Sequence, residues 1–358
     1  MKILFLIDNL GSGGAQRQVA TIAPLLKERG NEVIVATYFR MDFFAEQLKK
    51  HKVPIICIER SNYITRTLAV RKYIRRGGFD AVISFLENPD FMNCFAAIGG
   101  KKWTVVASER SAKEETFFTK QHKFTAWIKR FSDYIVCNSE NAHQLWIKYY
   151  PQYESKLKVI YNAVTVAPTS TKYIPRRDGK IHFVVSASFQ YLKNPVNVIK
   201  AIDQLGEMKQ QIILDWYGNS KGANKACYAE CCELIDMLKL HDCIKLHEPT
   251  DIIHEKMQQA DCVCLFSRLE GLPNAICEAM TLGKPIIMSK VSDYNRLIDD
   301  SNGVLCDWDD IKSIAEAFRK IINKSERELC EMGFHSHSKS TRLFSPSIVG
   351  DSWINLIK

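Results

Sequence analysis

Short apolar runs and helix-like stretches alternate along this chain, and the whole scheme occurs twice. The first half carries apolar runs at Ile3–Ile7, Glu32–Thr37, Pro54–Ile58, Ala81–Phe85, Thr104–Ala107 and Tyr134–Cys137, with helical spacing between most of them. The second carries them at Ile181–Ser186, Gln211–Tyr217, Ile244–His247, Cys262–Phe266, Pro285–Met288 and Gly303–Leu305. Between these lie helical patterns at Pro195–Leu205, Lys225–Leu238, Ile252–Gln259, Asn274–Leu282 and Ile311–Lys320. Runs without polar alternation predict strands buried on both faces, and an intervening helix supplies the crossover that parallel pairing requires. The pattern therefore predicts an α/β chain of two doubly wound, Rossmann-like domains. A length of 358 residues fits two cores better than one.

The boundary is expected where Lys158–Val164 gives way to Thr165–Gly179, a stretch rich in Thr, Pro and charge that reads as a linker. That predicts domains at residues 1–164 and 165–344. Ser345 and Pro346 read as an N-cap and a first-turn proline opening a final helix to about Leu356.

Composition is that of a soluble globular protein, 46% hydrophobic and 25% charged. No apolar run approaches the ~20 residues of a bilayer-spanning helix. The opening run meets Asp8 too soon for a signal peptide, so a cytoplasmic chain is expected. The twelve cysteines show no C-x-x-C pair and are expected to be free thiols, with no metal site among them. Charge is uneven. Residues 1–165 hold 25 Lys and Arg against 15 Asp and Glu, while the remainder holds 24 against 25. The basic first half suggests an anionic partner, either a membrane surface or a phosphorylated acceptor, although a merely soluble surface explains it as well. Nucleic acid is not expected, because no recognised binding module is present.

The densest chemistry lies between Ser267 and Ile286. Glu270 and Glu278 stand eight positions apart, with Gly271 and Pro273 directly after the first. Pro273 suits the first turn of a helix running from Asn274 to Leu282, stopped by Gly283 and Pro285. The N–H groups of Gly271, Leu272 and Asn274 then lie at a helix N-terminus, where a diphosphate is favoured. A carboxylate on either side suits the hydroxyls of a nucleotide sugar. Gly11-Ser-Gly13-Gly14 sits between a strand and a helix and invites the same kind of ligand. As a dinucleotide loop it is weak, since Gln16 takes the place of the third glycine and no acidic residue ends the second strand. The loop by itself also allows a plain tight turn.

The Glu270–Glu278 stretch, from Ala260 to Ile286, resembles the Glu-x7-Glu signature of the retaining family 4 glycosyltransferases, which have the two-domain GT-B fold. The resemblance implies two Rossmann-like domains facing a central cleft, with the last helix crossing back onto the first domain. It also implies transfer of a sugar from a nucleotide-diphosphate donor to an acceptor hydroxyl, without a metal or other cofactor. The donor belongs to the second domain and a carbohydrate or lipid-linked acceptor to the first. By the same resemblance Glu278 holds the ribose hydroxyls and Glu270 the donor sugar, while Lys193 and the amides of Gly271–Asn274 take the diphosphate. Gly13 and Gly14 would face the donor from the first domain, and Gly218, in Tyr217-Gly218-Asn219, would lie near the base. Two departures stand out. Ser188 replaces an expected arginine, whose charge Arg268 or Lys284 would have to supply, and Ala163 replaces the glycine after Asn162. Glu109 and Arg110, following a strand, are candidates for lining the acceptor side. Two alternatives stay open: a GT-B sugar-nucleotide epimerase, and a catalytically weak nucleotide-sugar-binding subunit.

Three further features have structural readings. Asp307-Trp-Asp309 looks like a metal-binding pair, but the helix expected from Ile311 makes Asp309 or Asp310 an N-cap. His335-Ser-His337 reads as an exposed polar loop. Lys120–Phe131 forms a helix with Phe124, Trp127, Ile128 and Phe131 on one face. That face suits an anionic bilayer or the domain core, and packing is favoured because every such helix needs a buried stripe.

Overall fold

The computed structural model describes residues 1–110, 114–166 and 179–358. The stretch read as a linker, Thr165–Gly179, falls mostly outside them. The chain divides into two compact units: unit 1 is Met1–Ala163 with Phe344–Lys358, and unit 2 is Val164–Leu343.

Unit 1 holds seven strands: β1 (Lys2–Leu6), β2 (Glu32–Thr37), β3 (Ile55–Cys57), β4 (Ala81–Ser84), β5 (Thr104–Glu109), β6 (Tyr134–Cys137) and β7 (Leu157–Val159). They form one parallel sheet in the order β3-β2-β1-β4-β5-β6-β7. The connecting helices are α1 (Gly14–Glu28), α2 (Ala45–Lys50), α3 (Tyr63–Arg76), α4 (Glu87–Ala97), α5 (Lys120–Ile128) and α6 (Glu140–Tyr149). Side-chain oxygens of Asn62, Thr119 and Ser139 accept from backbone N–H groups in the first turns of α3, α5 and α6, as helix starts require.

Unit 2 is a six-stranded parallel sheet of β8 (Ile181–Ser186), β9 (Ile212–Tyr217), β10 (Ile244–His247), β11 (Cys262–Leu265), β12 (Ile286–Ser289) and β13 (Gly303–Cys306). Its order is β10-β9-β8-β11-β12-β13. Its helices are α7 (Pro195–Asp203), α8 (Lys225–Leu238), α9 (Ile253–Gln259), α10 (Asn274–Thr281), α11 (Tyr294–Leu297), α12 (Ile311–Ile322) and α13 (Glu326–Phe344). In each sheet the order reverses once, between β1 and β4 and between β8 and β11. Ligands of doubly wound sheets collect at such switch points, beyond the carboxyl ends of the strands.

The last helix, α14 (Pro346–Ile357), belongs to unit 1 and lies against α1. Ser345 caps it, with Pro346 in its first turn. Trp353 is fully buried with its ring 6.1 Å from that of Phe85, and Val349, Ile354 and Ile357 join the same core. At the rim Arg29 pairs with Asp351 at 2.8 Å and donates to the carbonyl of Ser347.

The structure corrects four sequence expectations. β7 is an additional strand; with three residues it is too short to show a burial pattern. His335 and His337 lie inside the 19-residue helix α13, not in a loop, and His337 Nδ1 is 2.9 Å from the carbonyl oxygen of Thr281. Pro273 sits just before the first turn of α10, at its N-cap. On α5 the buried side chains are His122, Thr125, Ala126 and Ile128, whereas Phe124 and Trp127 face solvent. Asp310 Oδ1 accepts from Lys312 N and caps α12, and Asp307 pairs with Lys290 at 3.0 Å. All twelve cysteines are free. No helix among the described residues is long and apolar enough to cross a membrane.

Candidate active site

In unit 2 two loops meet at the switch point. The loop after β8 runs through Ser188 and a short turn ending at Lys193; the loop after β11 carries Ser267, Arg268 and Glu270. Because β8 and β11 are hydrogen-bonded neighbours, their carboxyl ends deliver these loops side by side. The N–H of Arg268 donates to the carbonyl of Leu192 at 2.8 Å, fixing one loop on the other. Asn194 takes a left-handed conformation (φ 67°), which asparagine tolerates better than most residues, and its side chain donates to the carbonyl of Trp308. The turn so held presents Lys193 inward, with Pro195 starting α7 immediately after.

Glu270 is the meeting point. Its Oε1 accepts from Lys193 Nζ at 2.5 Å and from the buried hydroxyl of Ser267 at 2.6 Å. Directly beyond it, Gly271 and Leu272 donate their N–H groups to no other described residue, and Leu272 is buried. Unmet donors inside a fold are rare unless a ligand or water takes them. Asn274 begins α10, so these donors coincide with the positive end of a helix. Glu278, over one turn into α10, lies 3.0 Å from Nε2 of His254 on α9. A cation, two loop amides and two fixed carboxylates form a site able to bind an anion together with neighbouring hydroxyls.

Gly218 closes this arrangement from the side of β9. A Cβ there would stand 1.9 Å from the carbonyl oxygen of Ala187, so the loops after β8 and β9 touch backbone to backbone and only glycine fits. Ser188 lies at that contact, half-buried. Of the two residues considered as substitutes for the expected arginine, Lys284 is buried and its ammonium donates to the carbonyl of Ala260. Arg268 is exposed, with its guanidinium 5.2 Å from the ring centre of Trp308. Lys284 is thereby committed to the protein interior.

In unit 1, Gly13 and Gly14 stand at the start of α1, in the loop after β1. Asn9 Oδ1 receives the N–H of Gly11, and Asp8 Oδ1 receives Gln16 Nε2 at 3.1 Å, so the loop is braced by its own side chains. Gln18 forms a two-way hydrogen bond with the backbone of Ala163.

Glu109 closes β5 and is buried. Its Oε2 accepts from Trp146 Nε1 at 3.2 Å and lies 3.6 Å from Lys129 Nζ. Lys129 is itself buried and pairs with Asp90 at 3.0 Å. Burial raises the Asp90 carboxyl to about 6, against the pull of Lys129. Burial opposes the charge on Lys129, but Asp90 and Glu109 outweigh it and hold the ammonium above the ordinary lysine value. Beside them Arg110 donates to Ser108 Oγ at 2.5 Å and to Asn162 Oδ1 at 3.0 Å, with its guanidinium 4.2 Å from the ring centre of Phe85. Its Nη2 is buried with no partner among the described residues.

The Asp90 shift carries a pH consequence. An acid whose folded pKa exceeds its unfolded one favours folding below the unfolded value and loses that contribution as pH rises through the folded value. The window runs from the ordinary 3.8 to about 6. Thermal melts of Asp90→Asn are expected to fall less steeply between those limits than melts of the wild type; parallel curves would refute the raised carboxyl.

Sequence reasoning did not single out Ser267, His254 or the Lys129–Asp90 pair. Ser267 adjoins the motif and was available by position. His254 is 24 positions from Glu278, and Lys129 is 39 from Asp90, so only the fold joins them.

Residues 12–167 match the family described as Glycosyltransferase Family 4, and residues 168–332 match Glycosyl transferases group 1. The chain is 24% identical, over all of its length and 98% of the relative's, to a Campylobacter jejuni enzyme. That relative is named GalNAc-α-(1→4)-GalNAc-α-(1→3)-diNAcBac-PP-undecaprenol α-1,4-N-acetyl-D-galactosaminyltransferase. A second C. jejuni protein, N-acetylgalactosamine-N,N'-diacetylbacillosaminyl-diphospho-undecaprenol 4-α-N-acetylgalactosaminyltransferase, is 22% identical over 90% of both chains. Among solved structures, Anabaena HepE in complex with UDP superposes with a TM-score of 0.85 at 17% identity, covering 99% of each chain. The two family matches adjoin and run from residue 12 to residue 332, and with the two parallel sheets they identify the chain as a family 4 glycosyltransferase of the GT-B fold.

Proposed function

We propose that the chain transfers a sugar from a nucleoside-diphosphate donor to a hydroxyl of a lipid-linked saccharide, with retention of anomeric configuration. The observation that carries this reading is the Lys193–Glu270 contact beside the unmet amides of Gly271 and Leu272. A bound diphosphate would draw the Lys193 ammonium from Glu270 and accept from those amides, freeing the Glu270 carboxylate for a hydroxyl of the donor sugar. Glu278, held by His254, would take the ribose hydroxyls. Ser188, Gly218, Pro273 and Asn274 would shape the donor pocket in unit 2, and Gly13 and Gly14, at the start of α1, would bind the donor as the family resemblance implies. As the bond from the anomeric carbon to the diphosphate breaks, negative charge grows on the leaving oxygen. A fixed cation and fixed amides stabilise that charge more than the ground state, which is what accelerates the step. No metal is needed for this.

Solved relatives hold UDP or UDP-glucose, which favours a uridine diphosphate donor here. The C. jejuni relatives are named for undecaprenyl-diphosphate-linked saccharides, which favours an acceptor of that class and a role in surface polysaccharide or glycolipid synthesis. In unit 1 Glu109 and Arg110, at the carboxyl end of β5, would stand on the acceptor side, with Glu109 Oε1 accepting from the backbone N–H of Arg110. The positive excess of the first half favours work at an anionic membrane face, with peripheral attachment on the cytoplasmic side.

The test is incubation with a panel of nucleotide sugars, with and without a polyprenyl-diphosphate saccharide, following released nucleoside diphosphate and the anomeric signal of the product. Acceptor-dependent release with retained configuration is expected. Free sugar formed without acceptor would mean an epimerase or hydrolase, an inverted product would refute retention, and binding without turnover would mean a binding subunit.

A further inference from the structure

The outer face of α3 carries one continuous row of exposed side chains at four-residue spacing: Ile64, Leu68, Lys72 and Arg76. Its first half is apolar and its second half basic. Ile64 is 71% and Leu68 52% exposed. The apolar half does not end with the helix. Tyr63 lies 6.2 Å, ring centre to ring centre, from Phe91 of α4, and Phe91 lies 5.7 Å from Phe124 of α5. Phe124 stacks on Trp127 at 6.0 Å, and Arg130 covers Trp127 at 4.1 Å. Phe124 and Trp127, at 54% and 46% exposure, complete an apolar ridge across three helices. Aromatic side chains are usually buried when a domain has a core to put them in, and a contiguous exposed patch marks an interaction surface.

The basic half borders a pocket of about 540 Å³ between β3 and α3, lined by Arg60, Lys72, Tyr73 and Arg76 among others. No carboxylate among the described residues pairs with Arg60, Lys72 or Arg76. On α5, Lys120 and Lys123 add further exposed positive charge next to Phe124. An apolar ridge fringed by unpaired cations is the pattern of a helix face that lies in a headgroup layer, with rings and aliphatic groups below and ammonium or guanidinium groups at the phosphates.

We infer that this face of α3 and α5 docks unit 1 on an anionic lipid bilayer, with Ile64, Leu68, Phe124 and Trp127 entering the interface and the Arg60–Lys72–Arg76 pocket receiving a lipid phosphate. The charge of the rim selects a membrane over a second copy of this chain, because two such faces would repel. The surface gives the proposed lipid-linked acceptor a place to meet the enzyme and to that extent rests on that reading. Its test does not, since vesicle binding needs neither donor nor acceptor.

The full chain is sedimented with vesicles of phosphatidylglycerol and phosphatidylcholine, and with vesicles of phosphatidylcholine alone. Partition onto the anionic vesicles is expected, weakening as salt rises. Ile64→Ser with Leu68→Ser should lower it about ten-fold, since two partly inserted aliphatic groups are lost. Lys72→Glu with Arg76→Glu should lower it at least as far and flatten its salt dependence. Unchanged melting temperatures will verify the fold, because all four positions are exposed. Equal partition onto neutral vesicles, wild-type partition by either double variant, or complete release by millimolar free phosphate would each overturn the proposal. Sugar transfer to a detergent-dispersed acceptor is measured separately, so loss of docking and loss of the reaction are told apart.

Discussion

Lys193→Ala is expected to lower turnover by about 100- to 1,000-fold, the range for deleting one fixed donor to a developing oxyanion. The side chain ends 2.5 Å from Glu270, whose chain neighbours Gly271 and Leu272 carry the unmet amides. Arg268 is the nearest cation on the facing loop, and its guanidinium is turned onto Trp308. Folding should scarcely notice the change. The pair is partly exposed, with side chains at 21% and 14%, and such pairs contribute roughly 0–1 kcal/mol. Glu270 also keeps the Ser267 hydroxyl. Steady-state kinetics with the best donor, beside a thermal melt, separate the two effects. A variant with wild-type kcat rejects the role given to Lys193. For comparison, Glu278→Ala should act mainly on the KM for donor, because ribose contacts are made in ground and transition states alike.

Lys129→Ala should cost unit 1 about 3–5 kcal/mol, the usual result of stripping one partner from a buried ion pair. Asp90 and Glu109 would both be left facing an empty space that water cannot easily reach, and Trp146 would lose the cation 4.9 Å from its ring centre. The burial that lifts the Asp90 carboxyl to about 6 implies part of the answer: the orphaned acid will take up a proton at neutral pH. Lys129→Ala should therefore be less damaging at pH 5 than at pH 8. Hydrogen exchange at Val105, Val106 and Ala107, in the middle of β5, reads this unit apart from the other. A loss below about 1 kcal/mol would mean that the cluster is hydrated and contributes little.

Most strands and five of the unit 2 helices, α7, α8, α9, α10 and α12, were legible because apolar residues make most of their buried stripes. Lys225–Leu238 and Ile181–Ser186 have the bounds that their composition predicts. Helix α13 shows the opposite case. Its buried line is Leu329, Met332, Ser336, Ser340 and Phe344, with Gly333 against the carbonyl of Gly283, so small polar residues hide the helical period. α5 misleads in the other direction: of the face Phe124, Trp127, Ile128 and Phe131, only Ile128 is buried and Phe131 half-buried, while Phe124 and Trp127 are exposed and His122, Thr125 and Ala126 fill the interior. Spacing identifies which residues share a face, and it does not say which face is covered. At the site, the acidic motif and the lysine were recognisable from local sequence. Their partners were not, because Glu270 meets Lys193 across 77 positions and Glu278 meets His254 across 24.

The docking of α14 against α1 also bears on how the protein is made. The sheet of unit 1 is complete once β7 has been synthesised, but the slot for Trp353 stays open until some 190 further residues have been added. During that interval Phe85 and the flank of α1 are uncovered, while unit 2 emerges with all of its own strands and can finish first. On the ribosome the amino-terminal lobe is thus expected to mature later, with its Phe85 side the longer open to chaperones.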